Sequence, residues 1–248
     1  MNPEIFDRPP DLPATAIAGV PDATRAAADP GLATRIARTF FSPARLFVGF
    51  HDGTPWLGVL AISTLVAMIA APFIPAEHFL ARMEDPVNRL GRPVEVTSSP
   101  EEIVRWGRYL EAFSALAAHP LIAFGLAGLL LLVFTVLGRG RGTFRQYLAV
   151  ASHALLIPAL GALVAIALRV STGDFTAQPT VARLLGFIAP GVAGNAFLDG
   201  LNVFSLWMLV VLGVAVAVLD GRTSWMRPAA ALVTIYLLLA GATVLIAS

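Results

Sequence analysis

Leu201-Asn202-Val203-Phe204-Ser205-Leu206-Trp207-Met208-Leu209-Val210-Val211-Leu212-Gly213-Val214-Ala215-Val216-Ala217-Val218-Leu219 runs for 19 residues without an ionisable side chain. At about 1.5 Å of rise per residue such a helix reaches roughly 28 Å, close to the hydrocarbon thickness of a bilayer. Hydrocarbon offers no water to backbone N–H and C=O groups, so a helix, which pairs them within itself, is the structure this run predicts. Four further apolar runs of spanning length lie at 56–74, 121–137, 148–168 and 229–247. Composition agrees: 57% of residues are hydrophobic, 13% are charged and mean hydropathy is +0.76, more apolar than a soluble core can hide.

The reading is therefore all-α: a polytopic transmembrane helix bundle of about five spanning helices, occupying 56–248. Thr54-Pro55 starts the first span, Pro72 and Pro75 end it, and Arg227-Pro228 opens the last. Residues 181–197 are apolar but interrupted by Gly186, Pro190, Gly191, Gly194 and Asn195, which predicts a short re-entrant or interfacial helix.

Ahead of the spans, residues 1–30 mix Pro, Asp and Ala with no continuous apolar run, which predicts a disordered tail without the hydrophobic region of a secretory signal. Residues 31–55 read as an amphipathic interfacial segment. Leu32, Ile36, Phe40, Phe47 and Phe50 fall on one side at helical spacing, with Arg38 and Arg45 opposite. Ser42-Pro43 divides it, Ser42 as cap and Pro43 as first residue of a second helix.

Orientation follows from arginine. Short segments beside the helix ends carry Arg35, Arg38 and Arg45, then Arg139, Arg141 and Arg145, then Arg222 and Arg227, whereas the arginines of the other side are spread over longer loops holding nine acidic residues between Glu77 and Asp199. The positive-inside rule then places the amino terminus in the cytoplasm and the carboxyl terminus outside. All 17 basic residues are Arg, and with the abundant Ala, Gly and Pro this suggests a GC-rich bacterial genome, hence a multi-pass protein of the inner membrane.

The loop 76–118 is the one sizeable polar segment between spans. Within it Ser99-Pro100-Glu101-Glu102 has the form of a capping box, and Ile103, Trp106, Leu110, Phe113 and Leu116 or Ala117 share a face. This predicts an extracytoplasmic amphipathic helix lying on the outer surface and packed against the bundle, with Trp106 and Tyr109 at headgroup level.

Chemistry-bearing residues are few. Within the spans His153 is the clear ionisable group, with Pro158 five residues on; Asp199 and Asn202 flank the start of the fourth span, where Asp199 reads first as a helix cap. His153, Pro158, Asn195, Asp199 and Asn202 together make a candidate polar site in the membrane or at helix ends. Arg38, Arg45, Arg139, Arg141 and Arg145 are candidate lipid-headgroup contacts. The absence of Cys closes disulfides, thiolate metal sites and cysteine nucleophiles. His51, His78, His119 and His153 have no zinc-binding spacing, and Gly138-Arg139-Gly140-Arg141-Gly142 lacks the Lys-Ser/Thr of a phosphate loop. Glu101-Glu102 is similar to the paired glutamates of glutamyl intramembrane proteases, but Trp106 stands where that pattern has Arg and the downstream histidines are missing. No cofactor, metal or catalytic residue is expected. With a net charge of +1 and no basic stretch interleaved with aromatics, no nucleic-acid partner is expected either.

Three segments carry a family resemblance. Phe40-Phe41-Ser42-Pro43 precedes the first span at Trp56. Thr143-Phe144-Arg145-Gln146-Tyr147 leads into Ala154, Pro158 and Gly161. The third is Leu198-Asp199-Gly200-Leu201-Asn202-Val203-Phe204-Ser205-Leu206-Trp207. Together they resemble the bacterial branch of the Yip family, relatives of the Ypt/Rab-interacting membrane proteins, from about Phe40 to the end of the chain. The resemblance implies a five-helix membrane fold; eukaryotic members assist vesicle traffic and contact small prenylated GTPases through a cytoplasmic amino-terminal region.

Two functions fit these residues. One is a non-enzymatic scaffold or accessory subunit of an envelope or export complex, its partners being membrane lipids and other membrane proteins or itself. Gly125 and Gly128, Gly161 with Ala165, and Gly213 with Ala217 would permit close helix approach. The other is a small-solute or lipid transporter with a midplane site near His153, lined by Pro158, Asn195 and Asn202. No internal repeat supports the second, which leaves the first as the expectation.

Overall fold

Tyr147 to Ile157 are eleven consecutive buried residues, which makes this stretch the hub of the molecule. A helix apolar on every side must be surrounded on every side. In this computed structural model, residues 30–50, 53–80, 98–174, 177–186, 196–222 and 224–247 are described, and Gly31–Ser248 forms one unit. The described residues are helical throughout, apart from turns and one isolated bridge between Thr180 and Asn202.

The chain begins with α1 (Leu32–Phe41) and α2 (Pro43–Phe47). Pro43 opens α2 as expected, but the Ser42 side chain makes no capping bond. α3 (Leu57–Ala70) continues through a 3-10 turn at Ala71–Phe73, and α4 (Ala76–Leu80) follows. α5 (Pro100–Leu130) runs on as a π-helix over Leu131–Leu137. α6 (Phe144–Ala154) and α7 (Leu156–Thr172) are two parts of one helical run. Pro158 separates them: it has no N–H for the Ala154 carbonyl, so the ladder breaks one turn earlier, at Leu155. α8 (Val181–Gly186) and α9 (Ala196–Asp199) are short, and α10 (Val203–Leu219) and α11 (Met226–Ala247) complete the chain.

Two helical runs are long and apolar enough to cross a membrane, Pro100–Leu137 with 38 residues and Phe144–Thr172 with 29. Leu57–Phe73, Val203–Leu219 and Met226–Ala242 are shorter apolar helices. The core joins Leu46 and Phe47 of α2, Leu60 of α3, Ala123, Ala127 and Leu130 of α5, Tyr147, Leu148, Ala149, Val150 and Ala154 of α6, Val211, Leu212 and Ala215 of α10 and Leu232 of α11. Gly213 lets α10 and α11 meet: a Cβ there would stand 2.5 Å from Ala229 Cα. Gly161 performs the same service for Phe204, whose Cγ would lie 2.8 Å from a Cβ.

One expectation changes form. The amphipathic helix after Ser99 and the second span are a single helix, which at about 1.5 Å per residue is roughly 57 Å long. Pro120 lies within it. The Ser99–Glu102 capping box forms as read, with Glu102 N–H donating to Ser99 Oγ and Ser99 N–H to Glu102 Oε2, both at 3.3 Å. The face expected to pack on the bundle is turned away from it instead: Trp106, Leu110, Phe113 and Leu116 are all exposed. Arg108 on another side holds the end of α3, donating from Nε and Nη2 to the Ile74 carbonyl at 3.2 and 3.1 Å.

Candidate functional site

His153 sits inside the hub with no exposed surface. Its Nδ1 donates to the Ala149 carbonyl at 2.7 Å, which fixes the tautomer and leaves Nε2 as a lone-pair acceptor. That Nε2 is buried with no hydrogen-bond partner among the described residues. Phe50 meets the ring edge-on, centroids 5.0 Å apart.

Arg35 comes from α1, which packs against α3, α6 and α7 around the same hub. The amphipathic reading had counted Arg35 only among the basic flank, yet it is buried, as is Thr39, one turn on along the same face of α1. Arg35 Nη1 donates to the Pro55 carbonyl at 3.0 Å, Thr39 Oγ1 donates to the Arg35 carbonyl at 3.0 Å, and Arg35 Nε is buried without a partner among the described residues. An orphan donor and an orphan acceptor therefore share one interior region. Sequence reasoning missed this because a helical wheel marks arginine as outward.

The other polar candidates gather elsewhere. Asn202, not Asp199, caps α10: its Oδ1 accepts from Phe204 N–H at 2.9 Å and Ser205 N–H at 3.3 Å. Asp199 ends α9 and its Oδ1 accepts from Thr180 Oγ1 at 3.4 Å. The Asn202 N–H donates to Tyr236 Oη at 3.2 Å, tying α10 to α11. Because Gly161 is level with Phe204 at this end of α10, His153, eight residues earlier, lies roughly 12 Å lower. Pro158 is half-buried between the two levels. The five residues read as one site are thus divided, and Asn195 lies outside the described residues.

The glycine-rich turn closes on a carboxylate of its own chain. Arg139 takes a left-handed backbone (φ 54°), Gly140 N–H donates to the Phe134 carbonyl at 2.8 Å, and Arg141 N–H donates to Asp220 Oδ1 at 2.9 Å. The Asp220 side chain is 3% exposed and also accepts from Arg222 Nε and Nη2, at 2.9 and 2.8 Å. A Cβ at Gly140 would lie 2.5 Å from Asp220 Oδ1, so only glycine fits beside it. Side chains of Arg139, Arg141, Arg145 and Arg45 remain exposed, and Arg38 is half-buried. Gln146 Nε2 donates to the Phe50 carbonyl at 3.4 Å, bringing the α2 arginine to the end of the bundle that bears the turn.

Two cavities open at the opposite end, and His153 lines neither. One, about 770 Å³, lies between the end of α3, α4 and the start of α5, bounded by Pro72, Leu80, Val104, Arg105 and Tyr109. The other, about 340 Å³, lies between α3, α5 and α7. Among the described residues no group of three His, Asp or Glu side chains is placed to hold a metal ion.

A family model for the Yip1 domain matches residues 37–248. No curated protein and no solved structure matches the chain. The matched region takes in α2 to α11 with the hub, the Asp220 turn and both cavities, so the chain belongs to the Yip1 family.

Proposed function

We propose that this chain is a five-span, non-enzymatic scaffold or accessory subunit of the bacterial inner membrane, which docks another membrane protein on the outward face of α5. The observation that carries the reading is the fate of its small residues. Gly161 and Gly213 are used up inside the bundle, against Phe204 and Ala229. Gly125 and Gly128 have nothing within 4 Å of where a Cβ would stand, and Leu121, Phe124, Leu129 and Leu132 around them are exposed. In lipid, where apolar burial gives helices no net attraction, such a small-residue face is where a second helix packs closest. Close packing around His153, outside both cavities, supports this reading over solute transport.

The collection of Arg38, Arg45, Arg139, Arg141 and Arg145 around one end supports a cytoplasmic placement of that end, against anionic headgroups. Purification from the native membrane in gentle detergent, with particle mass and mass spectrometry, tests the docking reading. A stoichiometric partner that is lost in G125L/G128L, with the fold intact, is expected. A lone monomer, or a complex indifferent to those substitutions, overturns it.

A further inference from the structure

The 340 Å³ cavity exists because seven alanines stand where larger side chains would fill it: Ala67 and Ala70 on α3, Ala71 in the 3-10 turn that continues it, Ala115 and Ala118 on α5, Ala162 and Ala165 on α7. Its volume lies in the range of small-ligand pockets, equivalent to about eleven water molecules at ~30 Å³ each. Alanine methyls make the floor, with the exposed Ile122 at the edge. The mouth carries Glu111, Ser114, Arg169 and Gln178.

Those polar groups are incompletely committed. Arg169 uses Nε to hold the Ala177 carbonyl at 3.1 Å, and among the described residues neither Nη group has a hydrogen bond. Glu111 is exposed, and no salt bridge among the described residues joins it to Arg169. His119, also in the lining, interacts with the Ala115 carbonyl one turn back on its own helix, and its Nδ1 is buried away from the open space. One cavity thus presents a carboxylate and a guanidinium above an apolar floor. It sits at the ends of α3 and α7, where apolar helix gives way to polar chain.

From this juxtaposition we infer that the cavity binds the zwitterionic headgroup of a membrane phospholipid bearing a primary amine, of the phosphoethanolamine class. The ammonium, with three donors, sits against Glu111, the phosphate against the Nη groups of Arg169, and the glycerol end lies over the alanine floor. A quaternary amine has no N–H to give Glu111, and a purely anionic headgroup leaves that carboxylate without a counter-charge. The inference is independent of any partner on α5, because its lining shares no residue with the Gly125–Gly128 face.

The test reconstitutes the full chain into nanodiscs of equal parts phosphatidylethanolamine, phosphatidylcholine and phosphatidylglycerol, extracts it in mild detergent, and quantifies retained lipid by mass spectrometry. The ethanolamine lipid is expected in at least tenfold excess over each of the other two lipids in the wild type and in near-equal parts with them in E111Q and A118L. Glu111 is exposed, so E111Q leaves the core intact even if A118L does not fold. Equal retention of the three lipids, or enrichment unchanged in E111Q, overturns the inference. So does a shift in unfolding temperature with free phosphoethanolamine unaccompanied by lipid enrichment, which would assign the site to a soluble zwitterion.

Discussion

Replacing Gly213 by alanine adds one methyl at the closest helix contact of the bundle. The new Cβ would stand 2.5 Å from the Cα, Cβ and N of Ala229, atoms that no rotamer change can move aside. Carbon atoms rest at about 3.5–4.0 Å, so α10 and α11 must part by roughly 1 Å along their contact. Overpacking of this kind costs about 1–3 kcal/mol. The control is G125A, whose Cβ meets nothing within 4 Å. Both variants exchange glycine for alanine within a helix, so the intrinsic preference of about 1 kcal/mol for alanine cancels between them. The difference isolates the contact. Equilibrium unfolding of the purified protein by sodium dodecyl sulfate in mixed micelles, followed by tryptophan fluorescence, should give G213A an unfolding constant roughly 5- to 140-fold larger than that of G125A. Equal stability of the two would refute the α10–α11 packing.

Other substitutions probe separate parts of the account. H153L removes a side chain with one bonded and one orphan nitrogen at similar volume, and should change stability by no more than about 1 kcal/mol while leaving any partner complex intact; loss of the complex with the fold preserved would assign the imidazole a role. D220A removes the acceptor of Arg141 N–H and Arg222, with each charge-assisted bond contributing about 1.5–3 kcal/mol. Trypsin should then cut after Arg139 or Arg141 faster than in the wild type, and unchanged cutting would contradict the turn's anchoring. N202A deletes the cap of α10 and should cost about 0.5–2 kcal/mol in the same micelle titration, whereas D199A, which removes no helix cap, should cost less.

Residue types carried much of this fold openly. The apolar runs predicted where α3, α6 with α7, α10 and α11 lie, because hydropathy and helix length are local properties. Capping chemistry was legible at Ser99 and was equally available at Thr143, where Thr143 Oγ1 and Gln146 form a second capping box that the sequence reading passed over. What local pattern cannot report is which side of a helix meets its neighbours. Trp106 and Phe113 make an apolar face that lies outside the bundle, where lipid or interface takes the part of a core, and Arg35 lies inside because Pro55 offers it a carbonyl. The 340 Å³ cavity was invisible for a related reason: alanines on three helices and a Glu, a His and an Arg from two of them meet only after folding. Asp220 becomes the anchor of the basic turn only through the approach of Gly140 and Arg141, residues 80 and 79 positions away.

Both the docking face and the headgroup site depend on a five-span topology with the basic end in the cytoplasm. The chain has no cysteine, so single cysteines report sidedness directly. Variants A33C, R141C and S224C, with E101C, Q178C and a cysteine appended after Ser248, are treated in intact cells with a membrane-impermeant maleimide. The account predicts labelling of E101C, Q178C and the appended cysteine, with A33C, R141C and S224C labelled only after permeabilisation. Labelling of R141C in intact cells, or protection of the appended cysteine, would contradict it.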